Sequence, residues 1–225
     1  RRVLRSRMAE LPLRRRALFA TGDLATAFPL TLVNFFQLYF LTDVARLAPA
    51  TAGWIVLAAK LWDAVNDPLF GVLADRIRNP LGRRRAPLVF SAVPLGVTFA
   101  LMWIVPGLPR PWLPLYYLVA LVAFDTCFTV YHVSYNSLTP SMARGYDETT
   151  SLNGLRMQFQ LGGVLVAVVL LTVAGWYVDR GRLYTVAGVA LGALSILPPL
   201  ASFVASRGVD ASGGETTLQV LHAVR

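Results

Sequence analysis

Two carboxylates four residues apart stand in the middle of an apolar stretch of this sequence. Asp63 and Asp67 lie within KLWDAVNDP, residues 60–68, inside an apolar segment that runs from about Thr51 to Ala74. On a helix, this spacing places both carboxylates on one face, one turn apart. If that helix crosses a membrane, carboxylates near its centre are costly and are tolerated where they face a cavity, a partner or an ion. The pattern therefore predicts a functional site.

The residues beside the two aspartates favour a cation or proton site. Pro68 cannot donate a backbone hydrogen bond, so the carbonyl of Ala64 loses its usual helical partner. This carbonyl, the Asn66 amide and the carboxylates supply the oxygen ligands that a hard monovalent cation requires, so Na⁺ is a candidate at the aspartate pair. Lys60 lies on the same face as Asp63 and can neutralise it when the cation is absent. The alternative is a structural ion pair, which would leave the second carboxylate uncompensated.

The composition indicates an integral membrane protein. Of the 225 residues, 56% are hydrophobic and only 15% are charged, whereas an ordinary soluble domain carries about 25% charged residues. Hydropathy predicts six helical spans, each long enough to cross a hydrocarbon core about 30 Å thick. The predicted spans are Ala17–Leu41, Thr51–Ala74, Pro87–Val105, Leu113–Leu138, Leu155–Tyr177 and Leu183–Val204.

Basic residues are distributed unevenly around these spans. If both termini are cytoplasmic, the inner segments hold 15 of the 21 Lys and Arg residues, and the outer segments hold four: Arg46, Arg110, Arg180 and Arg182. Cytoplasmic loops are enriched in basic residues, so we expect a multi-pass protein of the cell membrane with both termini inside. The net charge of +9 is then explained by topology and the lipid bilayer, without a nucleic-acid partner.

The predicted organisation has three parts. Residues 1–16 form a basic cytoplasmic or interfacial segment, residues 17–205 form the six-helix transmembrane bundle, and residues 206–225 begin a polar cytoplasmic linker. Because the linker stops as its pattern becomes helical, we expect a carboxy-terminal half to follow. Trp103 and Trp112 are expected to anchor the outer ends of their spans at the membrane interface.

Polar side chains within the other spans are candidates for lining a solute cavity. Asp23 in the first span needs a partner at its depth, although a carboxylate in the first turn also favours the helix dipole. His132 and Asn136 lie one turn apart in the fourth span, where the role of Asp125 is left open. Arg156, just inside the fifth span, can reach a solute or an aspartate of another helix, or can snorkel to the interface.

The loop after the second span predicts a device for conformational control. Asp75 stands near the end of the second helix, and three arginines, Arg83, Arg84 and Arg85, precede the third. These groups can form an interhelical latch, with Lys60 contributing to charge balance, while the simpler alternative is topological anchoring.

Several stretches resemble one transporter family. KLWDAVNDPLFGVLADRIRNPLGRRRAP, YNSLTPSMARGYDETTSLNGLRMQF, GDLATAF and YFLTDV are similar to the helix and loop signatures of the glycoside-pentoside-hexuronide cation symporters. This is the melibiose-permease group within the major facilitator superfamily. The resemblance implies twelve helices in two six-helix bundles, of which this all-α chain would be the amino-terminal bundle.

The resemblance also implies roles for single residues. The family's cation site maps onto four residues: Asp63, Asn66, Asp67 and Thr129. Its sugar-binding carboxylate maps onto Asp23, and its substrate-side arginine maps onto Arg156. His132 and Asn136 depart from the pattern, since melibiose permeases have a sugar-binding aspartate and a stacking tryptophan at these positions.

The expected function is therefore cation-coupled symport, with Na⁺ or H⁺ driving a sugar or glycoside-like solute by alternating access. The two departures leave a non-sugar solute, such as an amphiphile or a secondary metabolite, as an alternative. A non-transporting six-helix fragment is a further alternative. No set of nucleophile and base and no metal cluster is visible in the sequence, so neither an enzyme nor a cofactor beyond the coupling ion is expected.

Overall fold

Helices make up nearly all of the part of the chain that the computed structural model describes, residues 11–74, 82, 84–143 and 145–208. The α-helices are α1 Leu13–Ala20, α2 Leu24–Tyr39, α3 Pro49–Ala74, α4 Ala86–Met102, α5 Leu113–Met142, α6 Gly145–Tyr177, α7 Arg180–Leu194 and α8 Leu197–Ala205. The described residues contain no β-strand. The predicted all-α fold is confirmed, whereas most of the predicted amino-terminal segment and linker lies in residues 1–10 and 209–225, outside the described residues.

The first helical segment is longer than predicted and is interrupted at Asp23. It runs from Leu13 to Val44, with a 3₁₀ turn over Thr21–Asp23 between α1 and α2 and a π-helical turn over Phe40–Val44 at its end. Such local departures from α-helical geometry are frequent at functional hinges and sites. The chain therefore places Asp23 at an irregular point within an otherwise continuous segment.

The last helical segment is divided where a single span was predicted. Helix α7 ends at Leu194, and α8 begins at Leu197 with Pro198 and Pro199 in its first turn. Proline has no backbone N–H and is accommodated at the start of a helix, so the two prolines favour a new helix over continuation of the old one.

The described residues form six helical segments in one bundle, and most of these segments can cross a membrane. By length and composition, four qualify: Leu13–Val44, Arg110–Met142, Gly145–Tyr177 and Gly181–Ala205. Helix α4 is apolar but has 17 residues, and α3 has 26 residues that include Lys60, Asp63 and Asp67. The protein is thus a multi-pass membrane protein, and α3 carries three charged residues within its length.

Helix packing brings polar residues of different segments together at two places in the bundle. Helix α5 packs along both α3 and α4, and α2 packs along α6. Close contact between α2 and α6 depends on Gly163, because a Cβ atom there would lie 2.6 Å from the Cβ atom of Ala27. Small residues at helix crossings allow such approach in membrane bundles. Asp67 on α3 therefore faces α5, while Arg156 on α6 lies beside the first segment.

Trp103 is not an interfacial anchor. Its side chain is only 1% exposed and stacks on Tyr184, with ring centroids 6.1 Å apart. Gly188 of α7 allows this position, because a Cβ atom there would lie 2.4 Å from the Cβ atom of Trp103. Trp112, in contrast, is 58% exposed, as expected for an anchor.

Candidate functional site

A hydrogen bond between two helices centres the first polar cluster. Thr129 of α5, which is buried, donates from Oγ1 to Oδ1 of Asp67 on α3 at 2.8 Å. Asp67 itself is exposed, so this carboxylate is held on one side by the bundle and is open on the other. The structure thus brings together two of the four residues predicted for the cation site.

Asn66 lies next to Asp67 and has unsatisfied polar atoms. It is 0% exposed, and neither Nδ2 nor Oδ1 has a hydrogen-bond partner among the described residues. An unpaired buried amide costs about 1–3 kcal/mol, so such a group calls for a ligand, a water or an ion. Pro68 stands within α3, and the carbonyl of Ala64 accordingly lacks its usual helical donor. Both groups can supply oxygen to a monovalent cation.

Lys60 and Asp63 form an ion pair at the same level of α3. Their Nζ and Oδ2 atoms are 3.6 Å apart, and their side chains are 58% and 32% exposed. Exposed pairs of this kind contribute little to stability, at most about 1 kcal/mol. The ion pair that the sequence offered as an alternative to a cation site is therefore present. It does not include Asp67, whose carboxylate is bound by Thr129.

Asp125 is a third carboxylate near this cluster, and sequence reasoning left its role open. It is 9% exposed and makes no hydrogen bond with the described part of the chain. It interacts electrostatically with three charged side chains of α3: Lys60, Asp63 and Asp67. Its position one turn before Thr129 was the signal available in the sequence.

An ion pair between the first segment and α6 centres the second cluster. Arg156 binds Asp23 in a bidentate manner, with Nε 2.8 Å from Oδ2 and Nη2 3.0 Å from Oδ1. Its Nη1 also donates to Oγ1 of Thr139 and its Nη2 to Oδ1 of Asn136, each at 2.9 Å. The guanidinium lies 4.5 Å above the ring of Tyr135. Arg156 is therefore an internal partner of an aspartate and not a snorkelling side chain.

Tyr135 and Thr139 are members of this cluster that the sequence analysis did not single out. The hydroxyl of Tyr135 lies 2.9 Å from Oδ2 of Asp23 and 3.0 Å from the carbonyl oxygen of Phe19. Tyr135 precedes Asn136, and Thr139 lies one turn beyond Tyr135, so helical spacing from the predicted residues could have identified both.

His132 and Asn136 link the two clusters. Arg156 can only donate hydrogen bonds, so the atom of Asn136 that it contacts is the acceptor Oδ1. The other amide atom of Asn136, Nδ2, therefore donates to Nε2 of His132 at 2.9 Å. His132 is thereby assigned as the tautomer with its proton on Nδ1. It stacks on Phe128 and interacts electrostatically with carboxylates of both clusters, Asp67 and Asp23. Hydrogen bonds thus extend from the second cluster to His132, whose interaction with the first cluster is electrostatic.

A cleft of about 610 Å³ opens beside the second cluster. Arg156, Asn136 and Thr139 line it together with residues of the α5–α6 connection, including Tyr146 and Asn153. Cavities of this size are typical of small-molecule sites. The cleft gives a solute direct access to the guanidinium of Arg156.

Two of the arginines predicted as a latch contact other helices. Arg84 donates from Nη1 to the carbonyl oxygen of Ser137 at 3.1 Å. Arg85 donates to the carbonyl oxygen of Phe203 at 3.0 Å and to Oγ of Ser206 at 3.1 Å, so it holds the end of α8. Cations near helix C-termini are favourable. The predicted partners Asp75 and Arg83 lie outside the described residues.

Comparison with known proteins identifies the family. Residues 18–216 match the family described as MFS/sugar transport protein, where MFS denotes the major facilitator superfamily. The chain belongs to this family. The predicted resemblance to its symporters is thereby confirmed.

Individual relatives within the family are symporters. An uncharacterised symporter of Synechocystis is 33% identical over 79% of this chain and 34% of its own length. A sodium-dependent lysophosphatidylcholine symporter of Xenopus tropicalis is 32% identical over 61% of this chain and 26% of its own length. The inner membrane symporter YicJ of Escherichia coli is 26% identical over 68% of this chain and 33% of its own length. The chain thus spans about a third or less of the length of these relatives.

Proposed function

We propose that this chain forms one bundle of a cation-coupled symporter, with Na⁺ or H⁺ as the coupling ion. The observation that carries the proposal is the buried and unpaired amide of Asn66, adjacent to the carboxylate that Thr129 holds. In the proposed cycle, the cation binds at Asp63, Asn66, Asp67 and Thr129 and lowers the cost of carboxylates within the membrane.

The balance of charge in the first cluster supports a cation. Asp63, Asp67 and Asp125 carry three formal negative charges against the single positive charge of Lys60. A bound Na⁺ or H⁺ reduces this excess. Within the described residues, no three carboxylate, His or Cys side chains are arranged to hold a metal ion. The carboxylate, hydroxyl and amide oxygens of the cluster are hard donors, which suit an alkali cation.

The second cluster is the proposed solute site. Asp23 and Arg156 carry opposite charges and form an ion pair. A solute bound in the adjoining cleft can replace some of the hydrogen bonds that these two side chains make with each other. Solute hydroxyls suit both groups, since a carboxylate accepts and a guanidinium donates. Asn136 and His132 then transmit the state of one cluster to the other, and this coupling is reciprocal and typically about 1–3 kcal/mol.

The exposed polar face of the bundle supports a second bundle as the partner. Asp67 and His132 are both exposed, and lipid cannot satisfy such groups. The relatives are about three times as long as the matched region, which leaves room for another six helices. We therefore propose that solute and cation pass between two bundles, in the cell membrane, with both termini of this chain in the cytoplasm.

A non-sugar solute is the second candidate. His132 and Asn136 stand where the resemblance implies an aspartate and a tryptophan in sugar-binding members, and several relatives are named as lysophosphatidylcholine symporters. The paired charges of Asp23 and Arg156 also suit a zwitterionic headgroup, which carries both signs.

Uptake into proteoliposomes tests the proposal. The full transporter that includes this bundle is reconstituted, and a panel of labelled glycosides and lysophospholipids is offered under an imposed Na⁺ gradient or pH gradient. We expect concentrative uptake of one solute class with one gradient and its loss in Asp63→Asn. Uptake in that variant with unchanged dependence on the cation would exclude the proposed site.

A further inference from the structure

A second cleft lies at the opposite end of the bundle from the proposed solute cleft. It has a volume of about 430 Å³ and lies between the loop that precedes α3 and the start of α5. The solute cleft adjoins the other end of α5, and its first lining residue on this helix, Asn136, lies about 33 Å along the helix from Pro114 of the outer cleft. This outer cleft is therefore distinct from the proposed transport site.

Two arginines, Arg46 and Arg110, line the outer cleft. Both side chains are exposed, and neither forms a hydrogen bond or an ion pair with any part of the chain that the structure describes. The nearby carboxylate of Asp43 accepts a hydrogen bond from Thr42 at 2.6 Å and does not line the cleft. Two like charges in one cleft without a counterion favour an anionic ligand.

The position of these arginines is unusual for the sequence as a whole. Most of its basic residues fall in the predicted inner segments, and Arg46 and Arg110 are two of only four that fall in the predicted outer segments. The bias of basic residues toward one side therefore does not account for their placement. Guanidinium groups bind phosphate oxygens in bidentate geometry, which suits a phosphate ester.

The remaining lining of the cleft is largely apolar and includes Val44, Leu47, Val105 and Leu113. Trp112 follows two residues after Arg110 and is 58% exposed, as is typical of side chains at the level of lipid headgroups. A freely soluble phosphate would gain nothing from apolar walls, whereas the glycerol backbone and upper acyl chain of a lipid would bury against them.

We propose that Arg46 and Arg110 bind the phosphate of an anionic phospholipid, which occupies the outer cleft as a structural lipid. The phosphate accepts hydrogen bonds from both guanidinium groups and offsets one of their two positive charges, and the apolar residues contact the lipid below its phosphate. The site operates whether or not the bundle transports a solute.

The experiment measures lipid binding by the chain reconstituted into nanodiscs. The discs contain phosphatidylcholine with or without phosphatidylglycerol, and bound lipid is counted by native mass spectrometry after release from the disc. We expect phosphatidylglycerol to be retained by the wild type and its affinity to fall about fivefold for each arginine lost and about 25-fold in Arg46→Gln/Arg110→Gln. Arg182→Gln, a change of another exposed arginine at the same predicted side, is the matched control and should retain the lipid.

Two further arms make the test decisive. The double variant Arg46→Lys/Arg110→Lys keeps the charge and should retain more phosphatidylglycerol than the Gln variant, and circular dichroism should show the same helicity in all variants. Equal retention by wild type and the Gln double variant would overturn the proposal, as would equal loss in Arg182→Gln. Displacement of the lipid by millimolar inorganic phosphate would also overturn it, because the cleft would then be a site for free phosphate.

Discussion

Oγ1 of Thr129 and Oδ1 of Asp67 are 2.8 Å apart, and this hydrogen bond joins α5 to α3 beside the unpaired amide of Asn66. It orients one oxygen of the carboxylate and leaves the other for a ligand. The arrangement suits the small cation or proton that we propose, and through this hydrogen bond the binding of that ion would affect the packing of two helices.

Removing the hydroxyl of Thr129 should weaken cation binding. In Thr129→Ala the carboxylate of Asp67 loses its only described donor, and hydrogen bonds to charged groups contribute about 1.5–3 kcal/mol when buried. Because Asp67 is exposed, we expect a smaller effect, a roughly five- to tenfold weaker affinity, measured as the half-saturating Na⁺ or H⁺ concentration. Thr129→Ser keeps the hydroxyl and should bind nearly as the wild type does. Equal weakening in Ser and Ala variants would show that the methyl group, not the hydrogen bond, matters.

Asp125 should contribute to the affinity for the coupling cation, although the sequence analysis did not assign it to the cation site. Asp125→Asn replaces a buried carboxyl group that interacts with α3 by a neutral amide, and we expect a roughly threefold or greater loss of cation affinity in the same titration. Asp43→Asn is the control, because Asp43 is exposed and lies near the outer end of the bundle. An unchanged affinity in Asp125→Asn would place this carboxylate outside the cation site.

The pair of Asp23 and Arg156 should stabilise the bundle strongly. The two side chains are 9% and 16% exposed, and removal of one partner leaves the other charge buried without compensation. Asp23→Asn and Arg156→Gln should each lower the free energy of unfolding by up to roughly 3–5 kcal/mol, measured by denaturant titration in detergent. The double variant should lose less than the sum of the two single variants. Strict additivity would show that the pair is not coupled.

Neighbouring glycines of α6 provide a test of the packing between α2 and α6. A Cβ atom at Gly163 would lie 2.6 Å from Ala27 and 3.0 Å from Leu24, whereas one at Gly162 would meet nothing within 4 Å. Gly163→Ala should therefore destabilise the bundle by about 1–3 kcal/mol. Gly162→Ala should be neutral or stabilising by up to about 1 kcal/mol through helix propensity. Equal unfolding midpoints for the two variants would contradict the described contact.

The helices and their order could be predicted from the sequence because long apolar runs and their polar boundaries are local features. The interruption at Asp23 and the division of the last segment at Pro198 could not be placed as well, since they depend on the neighbours that satisfy an irregular backbone. Trp103 was misassigned for a similar reason. Its burial requires the absence of a side chain at Gly188, which lies on a different helix.

Part of the candidate site could be predicted from the sequence, because it too consists of features that are local in the chain. Charged and amide groups in apolar spans are conspicuous, so Asp63, Asp67 and Arg156 could be chosen without a structure. Tyr135 and Thr139, the partners of Arg156, could not be chosen in this way, because both residue types are common in helix packing. Only the structure shows that the guanidinium of Arg156 lies beside them. The link from His132 through Asn136 likewise emerges only from the hydrogen-bond directions.

Binding of a cation at the aspartates of α3 can be followed through the fluorescence of Trp62. Trp62 precedes Asp63 and donates from Nε1 to Oγ1 of Thr126 at 3.0 Å, so ion binding beside it should alter its fluorescence. The emission of the purified chain is titrated with Na⁺ against choline at constant ionic strength, and separately with H⁺, using Trp62→Phe to isolate the signal. We predict a saturable change with one of the two cations that is lost in Asp67→Asn and retained in Asp43→Asn. No change with either cation, or an unchanged response in Asp67→Asn, would contradict the account.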